Sequence, residues 1–216
     1  MKKLKELTDA KIAAGRQANP EFMSGVDDII KQEKAFEKGK NAIKIGQKAP
    51  SFDLPDPEGK SISLNSLLEK GPVVITFYRG NWCPYCNLQL RALQARLDDI
   101  YALGATLVAI SPQVPDGSLT KDEISKMDFI VLYDQDAKVA LQYGVAWEVP
   151  EFLMEHMRVD RKLDLDKINN GKGNVLPIPA TFILGRDGVV TWSYVNVDYR
   201  TRSEPDEIIE ALKKLS

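Results

Sequence analysis

The stretch PVVITFYRGNWCPYCNLQLRALQARLDDIYALGATLVAIS, residues 72 to 111, limits the possible folds more than any other part of the chain. Val73 to Tyr78 is a β-branched and aromatic run bounded by Gly-Pro and Arg-Gly, the pattern of a buried central strand. The segment that follows puts Leu90, Leu93, Leu97 and Ile100 or Tyr101 on one helical face and stops at Gly104, a natural helix C-cap. Thr106 to Ser111 is a second strand. A strand, helix and strand of these lengths form a βαβ crossover, so the two strands are expected to be parallel.

The remaining segments extend this unit into an α/β domain with a central mixed sheet flanked by helices. Asp56-Pro57-Glu58-Gly59 has turn chemistry between two short extended pieces, followed by a one-turn helix near Asn65 to Glu69. A strand is predicted at Phe129 to Tyr133 and a short helix at Ala137 to Tyr143, with a polar insertion from about Trp147 to Asn174. In PIPATFILGRDGVVTWSYVNV two strands meet at Arg186-Asp187-Gly188, a strong hairpin signal. A C-terminal helix is expected to open at Ser203, with Pro205 in its first turn and Asp206 at capping-box spacing.

Residues 1–44 differ in texture, being charged and helical in pattern. Leu4, Leu7 and Ile12, then Ile29, Ile30 and Phe36, fall at near-helical spacing, with Pro20 and Gly39 as punctuation. They are expected to form a helical arm packed on the 45–216 domain or on a second copy, and the second arrangement would make a homodimer.

Composition removes several function classes. The formal net charge is -2 with both signs interspersed, which lacks the basic stripe that neutralises phosphates, so nucleic acid is not an expected partner. No stretch approaches the roughly 20 apolar residues of a membrane span, and MKKLKELTDAKIAAG lacks the apolar core of a secretory leader, which points to the cytoplasm. Two cysteines and a single histidine fall short of the four or so ligands of structural zinc. No metal or organic cofactor is expected, and His156 is read as an ordinary helix-surface or core residue.

Both cysteines lie in WCPYC, at the junction of the first strand and its helix. A thiolate is the reactive form of cysteine, and a helix N-terminus stabilises that anion. Pro84 suits the first helical position, which makes Cys83 the expected N-cap, its sulfur facing the amides of Tyr85 and Cys86. Cys86 lies one turn deeper on the same face, within reach for a small disulfide ring. The pair reads as a redox dithiol, with Cys83 attacking and Cys86 resolving. Trp82 is expected to rim the site, and Pro179 to carry a cis peptide bond after Ile178 that leaves backbone groups exposed beside it.

FYRGNWCPYCNLQL, together with KIGQKAPSFDLPDPEGKSISL and PATFILGRDGVV, resembles the thioredoxin-fold superfamily, and most of all the peroxiredoxin-like members of the alkyl hydroperoxide reductase and thiol-specific antioxidant family. The resemblance spans about residues 45 to 216. It implies a thioredoxin-like fold and a thiol peroxidase that reduces hydrogen peroxide or organic hydroperoxides, itself reduced by a thioredoxin-like or glutathione system. The family's site motif is a Pro, three residues, a Thr or Ser, two residues, then the peroxidatic Cys. Laid on this chain, it puts Arg79 at the Pro, Cys83 at the Thr and Cys86 at the attacking sulfur. The family's site arginine would fall near Pro179 and is missing, and Arg79 is the candidate substitute. The thioredoxin register instead makes Cys83 the nucleophile and Pro179 the cis-proline. Tyr78, Arg79, Trp82, Pro84, Ile178 and Pro179 are the candidate substrate-binding residues around Cys83 and Cys86. A thiol-disulfide oxidoreductase and a non-catalytic interaction module are the alternative readings.

Overall fold

The computed structural model describes residues 3–35, 37, 39–114 and 127–215. Two helices, α1 (Leu4–Ala18) and α2 (Pro20–Ala35), come first; Phe36 lies outside the described residues. A β1 (Asp53–Pro55) and β2 (Ser61–Ser63) hairpin leads into the short α3 (Leu64–Leu68) and then β3 (Val73–Phe77). The crossover helix is broken into α4 (Pro84–Gln94) and α5 (Leu97–Ala102), followed by β4 (Thr106–Ser111) and β5 (Ile130–Tyr133). Next come α6 (Lys138–Gln142), β6 (Ala146–Glu148), α7 (Glu151–Glu155) with a π turn at His156–Asp160, and α8 (Leu165–Asn169). The chain finishes with β7 (Val175–Pro177), β8 (Ala180–Leu184), β9 (Val190–Val195) and α9 (Pro205–Lys213).

Five strands form the central sheet in the order β5-β4-β3-β8-β9. β3 runs parallel to β4 and β4 to β5, whereas β8 is antiparallel to both β3 and β9, so the sheet is mixed. Every residue of β3 and of β8 is buried, which is why both read as continuous apolar runs rather than alternating ones. The β8–β9 hairpin turns at Gly188, whose φ of 76° suits a residue without a Cβ.

Several expectations need correction. The crossover is not one helix: Arg96, at φ -119° and ψ 16°, interrupts the ladder while Leu93, Leu97 and Ile100 all stay buried. The polar insertion expected from about Trp147 to Asn174 holds α7 and α8, bracketed by β6 and β7, which pair antiparallel. The cap of α9 lies one residue later than predicted: Glu204, not Ser203, is the N-cap, and Glu207 rather than Asp206 completes the capping box. Ser203 is instead buried, its hydroxyl 3.3 Å from Thr181.

The N-terminal helices pack on the chain's own sheet-and-helix body. Val26 and Ile30 of α2 join the main apolar cluster, and Leu4 and Met23 are buried as well. Polar contacts fix the register. The Glu204 carboxylate accepts from the backbone amides of Leu4 (3.0 Å) and Lys5 (2.6 Å), capping α1, whose own N-cap residue Lys3 supplies no side-chain bond. Arg200 reaches Asp27 of α2 at 2.7 Å while its Nε holds Asp198 at 2.9 Å. No helix among the described residues is long and apolar enough to cross a membrane.

Candidate redox site

The turn between β3 and α4 builds the site. Gly80 has φ 143°, and a Cβ there would sit 2.7 Å from the Gln113 carboxamide oxygen that accepts the Asn81 amide. The chain then closes through Cys83 N–H to Gly80 O at 3.1 Å, and α4 begins with Pro84 at its first position and Cys83 as its N-cap. The Cys83 sulfur accepts no capping bond from the helix amides, contrary to expectation.

Its partner is a guanidinium. Arg79 Nη2 donates to Cys83 Sγ at 3.2 Å, and Arg202 Nη2 donates to Cys86 Sγ at 3.0 Å. Both sulfurs are fully buried, free thiols, and both arginines are buried with them. Arg79 lies over the Tyr199 ring at 4.1 Å and beside the Trp82 ring at 5.2 Å, so aromatic faces replace the water it has lost. Burial pushes the Tyr199 phenol up to about 12, which keeps that ring neutral beneath the cation. Arg202 is held in turn by the carbonyls of Tyr199 and Thr201, each at 2.6 Å from Nη1.

These contacts separate the two thiols. Burial alone would raise both. For Cys83 it is outweighed by a hydrogen bond from Cys86 and by the charges of Arg79 and Arg202, so its pKa falls well below the ordinary thiol value. Cys86 moves up, because burial and its hydrogen bond to the Cys83 thiolate exceed what the arginines return. The pair is thus polarised, with Cys83 the better anion and the Cys86 thiol its hydrogen-bond donor. Below them, the hydroxyls of Thr76 and Thr181 stand 3.1 Å apart and Gln89, one turn after Cys86, donates to Thr76 at 3.1 Å, a buried polar knot under the helix end.

A cavity of about 360 Å³ opens beside Arg79 and Trp82. Arg79, Trp82, Pro84, Tyr85 and Tyr199 form its base, α2 contributes Phe22 and Met23, and α7 with its π turn contributes Leu153, His156 and Met157. The His156 ring stacks on Phe22 with centroids 3.8 Å apart, and its Nδ1 is 2.7 Å from Asp160 Oδ2, so this histidine is part of the wall. Arg161 donates from Nη2 to the Trp82 carbonyl at 2.8 Å and lies 5.8 Å from that indole ring.

Of the residues singled out from sequence, Cys83, Cys86, Arg79, Trp82 and Pro84 come together here. Tyr78 does not line the cavity: it is buried, with its amide on Ile110 O at 3.0 Å. Ile178 is also buried, its amide on Val145 O at 2.9 Å. Among the described residues no peptide bond is cis, so Ile178–Pro179 is trans, and the Pro179 carbonyl is taken by the Asn196 amide at 3.1 Å. The edge of exposed backbone expected beside the sulfurs is therefore absent at this proline. Sequence reasoning missed Arg202, Tyr199, Arg161 and the α2 residues, because their roles depend on loops and helices distant in sequence from WCPYC.

Comparison with known proteins fits this geometry. The chain is 26% identical over 174 residues to peroxiredoxin Bcp of Escherichia coli K12, covering 81% of this chain and 98% of that one. It is 28% identical over 173 residues to the chloroplastic peroxiredoxin Q of Populus jackii, covering 80% of this chain and 70% of the relative. Among solved structures it is similar to the peroxidoxin BcpB of Mycobacterium tuberculosis, with a TM-score of 0.61 and 22% identity over 81% of this chain and 99% of the other, a likeness of fold. The AhpC/TSA family model matches residues 45–193. With a mixed thioredoxin-like sheet, a dithiol at the end of its central crossover helix and a family match over most of its length, the chain belongs to the AhpC/TSA family.

Proposed function

We propose that the chain is a thiol-dependent peroxidase in which Cys83 attacks the hydroperoxide and Cys86 resolves the product. The observation that carries this assignment is the position of Cys83, the N-cap of α4 with its sulfur accepting from the buried Arg79 guanidinium at 3.2 Å, and the downward shift of its pKa agrees with it. The Cys83 sulfur forms a bond to the terminal peroxide oxygen as the O–O bond breaks, giving a sulfenic acid. The leaving alkoxide, or hydroxide, takes the Cys86 thiol proton and departs as alcohol or water. Cys86, now a thiolate, attacks the sulfenic sulfur and expels hydroxide, which solvent protonates, leaving a Cys83–Cys86 disulfide. A thioredoxin-type dithiol reduces that disulfide. Arg79 supplies positive charge where the peroxide oxygens become negative, and Arg202 does so for Cys86.

The family register would put the first attack on Cys86, and its raised pKa argues for the other order. The buried sulfurs and the trans Pro179 with its occupied carbonyl favour a small peroxide over a protein disulfide as the oxidant. Residues 45–216 are the catalytic unit in this reading and the 1–44 arm its accessory. A cytoplasmic setting agrees with a dithiol that must be returned to the reduced state. The apolar face of the arm is spent on its own domain, so the reading needs no second copy, and sedimentation would measure whether a homodimer forms.

The test is a rapid peroxide titration of wild type, Cys83→Ser and Cys86→Ser, with mass spectrometry locating the oxidised sulfur. Cys86→Ser should accumulate a sulfenic acid on Cys83, and Cys83→Ser should consume peroxide no faster than a free thiol. A sulfenic acid on Cys86 in the Cys83→Ser protein, formed at close to the wild-type rate, would reverse the assignment.

A further inference from the structure

The cavity lined by Arg79 and Trp82 is far larger than hydrogen peroxide requires and has the size of a small-ligand site. Its walls divide by chemistry. Phe22, Met23, Leu153 and Met157 are apolar, Lys11 and Arg161 bring positive charge, and no carboxylate lines it among the described residues. Arg161 and Arg79 both approach one indole, 5.8 Å and 5.2 Å from the Trp82 ring, so the cation bonded to Cys83 and a second guanidinium share one aromatic side chain. A short molecule lying along Trp82 would reach both guanidinium groups, Arg79 being the one that bonds the buried Cys83 sulfur. Guanidinium groups favour carboxylates, with several donors in a planar fork.

We infer that this cavity is a binding site for an amphipathic organic hydroperoxide bearing a carboxylate, whose anionic end is held by Arg161 and Lys11 and whose apolar body packs on Phe22 and Met23. The inference rests on the peroxidase reading above and adds the substrate class. It also brings the N-terminal helices into the chemistry, since α1 supplies Lys11 and α2 supplies Phe22 and Met23, all from outside the residues matched by the family model. The peroxide end reacts as described for Cys83, with the O–O bond broken and the hydroxy acid released.

The experiment compares kcat/KM for cumene hydroperoxide and for its ring-carboxylated analogue, with hydrogen peroxide alongside, at low and high salt. The carboxylated compound should be preferred by about tenfold, the scale of one hydrogen bond to a charged group, and the preference should shrink at high salt. Arg161→Gln and Lys11→Gln should each reduce that ratio, while the same change at the distant, exposed Lys138 should not. Isopropylbenzoate, which carries the anion without the peroxide, should inhibit competitively, and its neutral amide should do so at least tenfold less well. Equal rates for the two hydroperoxides, or a preference that survives both substitutions, would overturn the substrate assignment and leave the peroxidase reading standing. Failure to consume any of the three peroxides faster than free thiol would overturn both.

Discussion

Arg79 is the side chain on which the proposed chemistry depends most directly, and Arg79→Gln measures that dependence. The guanidinium bonds the Cys83 sulfur at 3.2 Å in a fully buried setting, where a hydrogen bond to a charged group is worth about 1.5–3 kcal/mol. A unit charge about 4 Å away at an effective dielectric constant of about 20 contributes about 4 kcal/mol before its own desolvation is counted. Glutamine keeps one neutral donor worth about 1 kcal/mol, and Arg202 still faces the pair. A net loss of about 2 kcal/mol raises the Cys83 pKa. The ultraviolet thiolate absorbance of the reduced variant, taken against the same variant with Cys83→Ser, should show that displacement. Peroxide consumption at neutral pH should fall by up to about thirtyfold as the thiolate fraction drops. Arg79→Lys, which keeps the charge without the planar fork, should fall between the two. A thiolate titration that superimposes on that of wild type, in a variant that still unfolds cooperatively, would refute the claim that this arginine holds the thiolate.

The same thiolate should be visible in stability. A depressed native pKa stabilises the fold fully above the unfolded thiol value of about 8.5 and loses that contribution as pH falls through the native value, so urea unfolding should show the wild-type advantage over Cys83→Ser shrinking on acidification. Scanning below about pH 8.5 keeps Cys86 protonated in both states, and an advantage that grew toward acid would contradict the assignment. Glu204→Gln removes a negative charge shared by the N-termini of α1 and α9, and should cost about 1–2 kcal/mol by urea unfolding; no change would mean that the α1 amides find water equally good.

What the sequence disclosed and what it withheld divide along sequence distance. The βαβ crossover, the N-cap position of Cys83, Pro84 behind it and the turn at Arg186-Asp187-Gly188 are local patterns, readable from strand and helix periodicity and from the backbone habits of Pro and Gly. The family motif located the sulfurs but not their charge. Arg202 stands 116 positions from Cys86, on a loop whose DYRTRSE text contains no signal for a site, and only the fold brings it to 3.0 Å. The break at Arg96 was hidden because Leu93, Leu97 and Ile100 keep facing the core on both sides of it. Pro179 followed from analogy with the thioredoxin register, and here its carbonyl already has a partner in Asn196. His156 looked ordinary because its stacking partner, Phe22, lies in a helix far away in the chain.

The seven residues from Asp198 to Glu204 behave as a common anchor plate. Within that short span, Arg200 binds Asp27 of α2, Tyr199 carries the Arg79 guanidinium, Arg202 touches Cys86, and Glu204 caps α1. Anyone transplanting this catalytic unit without its leader would strip Arg200 and Glu204 of their counterparts and loosen the same loop that positions both guanidinium groups. The leader and the dithiol are thus bound into one heritable block, in which a replacement at either end has to be matched at the other.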